Sequence, residues 1–169
     1  MQLTAKFIGT PVKRSDLQAG DIALLQDHNS LMLVLVTQEP DKLGMILLNE
    51  WSERTNDEAP HLLNFDAIHT YDIRRIDSEL TVEPLTRTAE HVLSLPNNEP
   101  QNGGISILED DDFVLRVVHK IHHHFYSLQT GVRSEYPEGV PHHEMSAWRL
   151  VWRDGEDSVT LCEFGVTAS

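Results

Sequence analysis

The feature that most constrains the fold is a stretch that occurs twice, as Gly20–Val36 and again as Gly103–Val118. With one deletion, the alignment pairs Ile22 with Ile105, Leu24 with Ile107, Leu25 with Leu108, Asp27 with Asp110, Leu31 with Phe113, Leu33 with Leu115 and Leu35 with Val117. Each copy contains two short apolar runs separated by turn-forming polar residues, whose side chains hydrogen-bond the local backbone. The pattern predicts a β-hairpin in each copy.

Alternation along the second strand of each hairpin predicts which faces are buried. Arg116 shares a face with Val114 and Val118, and Leu115 lies on the opposite face. The arginine predicts that its face is partly exposed to solvent. Val34 takes the place of Arg116 in the first copy, so we expect that strand to be covered on both faces.

Length and composition are typical of a folded protein. The 169 residues suit one ordinary domain or two very small ones, and 40% hydrophobic content is ample for a packed core. A net charge of −14 disfavours nonspecific attraction to nucleic acid or to an anionic membrane, because phosphate binding needs clustered Lys and Arg. We therefore expect no direct nucleic-acid partner and no membrane partner.

The compartment is predicted from what the sequence lacks. Cys162 is the only cysteine, which excludes an intrachain disulfide and fits a reducing environment. The first residues, MQLTAKFIGTPVKR, have no continuous apolar core of a signal peptide, and no stretch reaches the length of a transmembrane helix. A soluble cytoplasmic protein is the expectation.

The predicted fold is mainly β, with two similar small SH3-like barrel or meander units in tandem and one short helix between them. We place the first β unit at residues 1–85, the helix and linker at 86–102, and the second β unit at 103–169. The helix is predicted over Thr86–Leu95, where Pro96 marks a stop. One compact domain overall is the alternative.

The first copy has a partial resemblance to a known family. An aliphatic strand preceded by Gly20-Asp21-Ile22 and a turn resembles the start of small SH3-like barrels, among them ribonuclease toxins of the PemK and MazF type. The resemblance covers about 17 residues and implies a barrel. Such toxins are similar in carrying Arg-Pro at the start of the second strand, where this chain has Ser30-Leu31. We therefore expect the barrel without the RNA-cleaving activity, which also fits poorly with the negative charge.

Two histidine clusters predict a metal site. Side chains alternate along a strand, so a strand that continues past Lys120 would project His122 and His124 from one face. Two imidazoles at this spacing can bind one metal ion, with further ligands from residues 142–144. The predicted centre holds zinc or another divalent transition metal, and its candidate ligands are His122, His124, His142, His143 and Glu144.

A structural role for the same histidines is the alternative. On a straight strand, His119 and His123 continue the apolar face and would be core residues. His122 and His124 continue the face of Arg116, which indicates solvent exposure and a neighbouring cation that disfavours a metal. Crowded histidines also repel one another when protonated, so a pH switch is a third interpretation.

Other chemistry-bearing residues favour structural roles. The four acidic residues of Glu109–Asp112 predict a solvated turn, although a basic partner could dock there. Cys162 lies in an apolar strand, where a buried, unreactive thiol is expected. Trp148 and Trp152 share a strand face and are interpreted as core or subunit-interface residues.

The function that this pattern favours is a non-enzymatic binding or assembly module that associates with itself or with another protein, for instance as a homodimer. The motivation is the lack of a coherent catalytic set in a strand-rich, apolar chain. One alternative is a metal-dependent hydrolase that uses the predicted metal site. Another is an acidic decoy that binds a basic partner protein.

Overall fold

A computed structural model describes the chain over residues 8–51, 59–68, 70–77, 79–85, 90–93, 102–134, 141–145 and 147–165. The described part is mainly β, as predicted, and forms several antiparallel sheets. Its helical segments, Arg14–Asp16 and Phe65–Ile68, are single 3₁₀ turns, and none has the length and apolar character of a membrane span.

The chain divides into two compact units, and each is described separately. Unit 1 comprises Met1–Ser78 together with Thr130–Val132, and unit 2 comprises Glu79–Gln129 and Arg133–Ser169. The domain limits predicted above therefore differ from the division by contacts, since the strand at 79–84 belongs to unit 2.

Unit 1 is a six-stranded antiparallel sheet with the strand order β1-β6-β2-β3-β4-β5. Its strands are β1 (Thr10–Val12), β2 (Ile22–Gln26), β3 (Leu31–Gln38), β4 (Leu43–Glu50), β5 (His61–Leu63) and β6 (Asp72–Arg75). The predicted first hairpin is confirmed as β2 and β3, joined by a turn in which Asp27 accepts hydrogen bonds from the backbone of Asn29 and Ser30.

The core of unit 1 lies against both faces of β3. Val34 and Val36 pack on one face with residues of β2 and β4, and Leu33 and Leu35 on the other face are also fully buried. The prediction that this strand is covered on both faces is confirmed. Full burial of one such side chain is worth about 1.5–3 kcal/mol, so β3 is a major source of stability.

Unit 2 contains a six-stranded sheet with the order β12-β11-β10-β9-β13-β8 and a three-stranded sheet with the order β15-β14-β7. The strands are β7 (Glu79–Pro84), β8 (Glu90–Leu93), β9 (Ile105–Ile107), β10 (Phe113–His119), β11 (His122–Ser127), β12 (Arg133–Ser134), β13 (Pro141–Met145), β14 (Trp148–Asp154) and β15 (Asp157–Phe164). The predicted second hairpin is confirmed as β9 and β10.

The predicted helix is wrong where the structure describes it. Glu90–Leu93 forms β8 and pairs antiparallel with β13. Residues 86–89 and 94–95 of the predicted helix lie outside the described residues. Helix propensities differ by less than about 1 kcal/mol per residue among ordinary side chains, so pairing with a distant strand overrides them.

Both hairpins begin with the same backbone contact. The Gly20 N–H donates to the Val36 carbonyl over 2.9 Å, and the Gly103 N–H donates to the Arg116 carbonyl over 2.8 Å. Both glycines have positive φ, of 93° and 85°, a region that residues with a Cβ rarely adopt. Glycine therefore suits the start of each hairpin, because the backbone there has a positive φ.

Past the turn, the predicted alignment is wrong by two residues. The sequence alignment matches Phe113 with Leu31 and Ile107 with Leu24. In the structure, however, Phe113 lies opposite Ile107 in its hairpin, whereas Leu24 lies opposite Leu33 in the other hairpin. The structural counterpart of Phe113 is thus Leu33. A shift of two residues leaves every side chain on the same face, so the apolar pattern alone could not reveal it.

Unit 1 is completed by a short segment distant in sequence. The Gln38 N–H donates a 2.9 Å hydrogen bond to the Gly131 carbonyl oxygen, and Val132 forms a parallel bridge with Gln38. A Cβ on Gly131 would lie 2.3 Å from the Val36 carbonyl oxygen and 2.4 Å from the Gly20 nitrogen. Only glycine fits between these backbone atoms.

We therefore expect Gly131→Ala to destabilise the protein by about 3 kcal/mol, through overlap with backbone that cannot move aside. The control is Gly155→Ala, since Gly155 also has positive φ but a Cβ there would meet nothing within 4 Å. It should cost only about 1 kcal/mol. Urea denaturation measures both, and equal losses would contradict this account of Gly131.

Candidate functional site

The candidate site is built on the reversal of the chain between β10 and β11. His119 lies directly opposite His122 in the antiparallel register, which leaves Lys120 and Ile121 as a two-residue turn. Lys120 has a φ of 57°, a conformation that glycine adopts far more easily. We call residues His119–His123 the tip.

The reversal changes the faces that the histidines occupy. His124 lies opposite Val117, and Phe125 lies opposite Arg116. Residues directly opposite each other share a sheet face, so His122 and His124 lie on the face of Val117. The prediction that they share the face of Arg116, which assumed a straight strand, is wrong.

The tip is an exposed group of side chains at the end of two buried strand segments, residues 114–117 of β10 and 125–127 of β11, which we call the stem. Ile121 is 83% exposed, the largest value for a large hydrophobic residue in the described part of the chain. His119, Lys120 and the histidines at 122 and 123 are exposed as well. The expectation that His119 and His123 are core residues is therefore wrong.

The stem below the tip is packed on both strands. On β10, Leu115 and Val117 are fully buried, and on β11 Tyr126 is 1% exposed. His124 lies between tip and stem, half-buried, with its ring centroid 6.5 Å from that of Tyr126. The tip is consequently held on a rigid hairpin.

The predicted metal ligands do not form a described cluster. His122 is exposed at the tip, His124 packs near Tyr126, and Glu144 contacts Arg116. The backbone at 142–143 belongs to β13, but these two side chains, of His142 and His143, lie outside the described residues. Among the residues the structure describes, no three His, Cys, Asp or Glu side chains are grouped so as to hold a metal ion. The metal site stays a prediction.

Arg116 is buried, although its face was expected to be partly exposed. Its residue exposure is 6%, its guanidinium contacts the Glu144 carboxylate, and its Cζ lies 5.8 Å from the centroid of the Phe125 ring. An arginine can occupy such a place because a carboxylate and an aromatic face offset part of the desolvation of its charge.

The ion pair crosses an intervening strand. β9 lies between β10 and β13, and the residues that the ion pair crosses are small. Gly104, just before β9, accepts a hydrogen bond from the Arg116 N–H, and Ser106 on β9 lies opposite Glu144. The Ser106 hydroxyl is fully buried and has no hydrogen-bond partner in the described part of the chain. Small side chains here leave room for the long arginine to reach the next strand.

The acidic turn at the other end of β10 is solvated, as predicted. We call residues Leu108–Asp112 the acidic turn; Glu109, Asp110 and Asp111 in it are exposed. Asp112 is held in place, because its Oδ1 accepts a 2.7 Å hydrogen bond from the Ser127 hydroxyl on β11. Docking of a basic protein on this turn stays a prediction.

Unit 1 has one further feature that resembles a binding site. A groove of about 550 Å³ is lined by Lys13, Arg14, Ser15, Leu17, Leu43 and Phe65. The guanidinium of Arg14 lies 5.0 Å from the centroid of the Phe65 ring and 2.5 Å from the Asp66 carboxylate. Its charge is therefore already paired, which weakens the groove as a site for an anion.

Cys162 and Trp148 are core residues of unit 2, as expected. Cys162 is 3% exposed, and burial raises the pKa of its thiol to about 12. The Trp148 indole stacks on Phe164 with ring centroids 4.7 Å apart, and its N–H donates to the Gly103 carbonyl over 2.6 Å. These residues support the fold rather than a reaction.

Comparison of this chain with protein-family models, with curated proteins and with solved structures finds no match. The tip and the acidic turn are therefore interpreted from their own chemistry. The tip was missed in the sequence because Lys120-Ile121 contains none of the residues that usually mark a turn.

We expect Glu144→Gln to destabilise the protein by about 3 kcal/mol, because it removes the carboxylate that the buried Arg116 contacts. The matched control is the double variant Arg116→Met with Glu144→Leu, which removes both charges and should lose less stability. Urea denaturation compares the two, and a double variant less stable than Glu144→Gln would contradict this account.

A second prediction concerns the thiol. Because Cys162 is buried and its pKa is raised to about 12, a thiol reagent such as Ellman's should not react with the native protein at about pH 8. Reaction should appear only as urea unfolds the chain, with the same midpoint as the fluorescence change. Rapid reaction in buffer without urea would show that the thiol is accessible.

Proposed function

We propose that the protein is a non-enzymatic binding module that associates with further copies of itself through the tip. One observation carries the proposal: Ile121, 83% exposed, projects from a two-residue turn between exposed polar side chains. Binding residues are disproportionately found on loops that a rigid scaffold positions. The tip fits that description, since its stem is buried on both strands.

The conformation of Lys120 supports a role beyond folding. A non-glycine residue at a φ near 57° costs about 1 kcal/mol, which glycine would avoid. Two large side chains, Lys120 and Ile121, thus occupy a turn where small residues would be more stable. Strain of this kind at an exposed position supports a function for the side chains themselves.

The chemistry of the tip suits recognition of a surface. Ile121 supplies an apolar anchor, Lys120 supplies a positive charge, and each imidazole supplies a hydrogen-bond donor whatever its protonation state. Apolar anchors surrounded by polar groups are the usual arrangement of small protein interfaces. We expect a small interface and therefore weak, concentration-dependent association.

We also infer that the two units have a related barrel-like or meander architecture. The inference is supported by the equivalent hydrogen bonds of Gly20 and Gly103 at the base of each hairpin. It concerns the units themselves and does not bear on the role of the tip.

The test is the double variant Lys120→Gly with Ile121→Ser. Glycine relieves the positive φ, so this variant should be at least as stable as the wild type while losing self-association. Sedimentation velocity over a concentration series measures association, and urea denaturation measures stability.

The matched control is Val132→Ser, which removes an apolar side chain that is 49% exposed in unit 1. It should associate like the wild type. Unchanged association in the tip variant would overturn the proposal, and so would a wild type that stays monomeric at every concentration.

A further inference from the structure

We infer that the tip of one copy docks on the acidic turn of a second copy, so that copies associate head to tail. This inference rests on the proposed function, self-association through the tip. The two surfaces complement each other in charge and in hydrogen bonding. The tip presents Lys120 and imidazole donors, whereas the turn presents the carboxylates of Glu109, Asp110 and Asp111, which only accept hydrogen bonds when ionised.

The position of the two surfaces excludes contact within one molecule. The acidic turn ends just before β10 and the tip begins at its last residue, so Phe113–Val118 of β10 separates them. A strand rises about 3.4 Å per residue, which places the two ends roughly 20 Å apart. A tip can therefore reach an acidic turn only in another copy.

Symmetric pairings are less favourable than the head-to-tail one. Two tips that meet would bring Lys120 against its equivalent, and two acidic turns would bring three carboxylates against three. Like charges that face each other repel. Of these pairings, only contact between a tip and an acidic turn brings opposite charges together.

The acidic turn also offers a defined surface to an apolar anchor. Leu108 at its start and Phe113 directly after it are half-buried, so each has exposed apolar surface that Ile121 of another copy can cover. The turn is fixed by the Leu108 N–H, which donates to the Asp112 carbonyl over 3.0 Å, and by the bond from Ser127 to Asp112. A preorganised surface loses little entropy on binding.

Head-to-tail pairing has a consequence that a symmetric dimer lacks. Every copy that binds through its tip keeps its acidic turn free for another copy, so association need not stop at two. Wild-type protein should form dimers and then larger species as its concentration rises.

The experiment is a complementation test by sedimentation velocity. The turn variant Glu109→Gln, Asp110→Asn, Asp111→Asn removes three charges without changing side-chain size, and asparagine tolerates the φ of 60° at position 111. The turn variant and the tip variant (Lys120→Gly, Ile121→Ser) should each associate at least about tenfold more weakly than the wild type. Mixed at equal concentration, they should form a 1:1 complex that does not grow further.

The matched control neutralises the other acidic hairpin turn, with Asp154→Asn, Glu156→Gln and Asp157→Asn. These residues are exposed where β14 ends and β15 begins, and the control loses the same number of charges. It should associate like the wild type, and equal weakening in the control would overturn the inference by showing a net-charge effect.

The outcomes separate the two proposals. A turn variant that associates like the wild type, or two defective variants that do not form a complex when mixed, would overturn the head-to-tail inference and leave the tip as the binding element. A tip variant that associates like the wild type would overturn the proposed function itself. Recovery of a 1:1 complex supports both.

Discussion

The contact between Arg116 and Glu144 is the interaction on which the organisation of unit 2 depends. It joins β10 to β13 across β9, within the sheet that carries the tip. A buried charge is costly without a partner, so the two strands must keep the register that brings the groups together. The same arginine forms the backbone hydrogen bond that begins the hairpin at Gly103. Side chain and backbone of one residue thus position the strand from which the tip projects.

This arrangement makes β10 a rigid connection between two chemically opposite surfaces. The strand begins at the acidic turn and ends at the tip, and its central residues are buried on both faces. In the head-to-tail association proposed above, these surfaces give association a direction, since an acceptor surface at one end and a donor surface at the other favour contact between different molecules.

Sequence patterns predicted the hairpins because the relevant interactions are local. Apolar runs separated by turn residues lie within a few positions of one another. The prediction that β3 is covered on both faces is right although its premise is not, because the structural counterpart of Arg116 is Val36 and Arg116 is itself buried. Predictions failed where distant strands decide or where a turn contains no typical turn residue. The helix failed because β13 pairs with Glu90–Leu93, and the histidine faces failed because no typical turn residue marks the reversal at Lys120.

The sequence by itself determined that the chain is mainly β, where its hairpins begin, and that Cys162 lies in an apolar strand. These properties follow from strand periodicity, glycine conformation and side-chain polarity, each of which depends only on a residue and its neighbours in the sequence. Tertiary structure alone decided that Arg116 is buried against Glu144, that Gly131 completes unit 1, and on which face the histidines lie. The reason is that each of these depends on which strands become neighbours, and a shift or reversal of the chain leaves no trace in the local pattern.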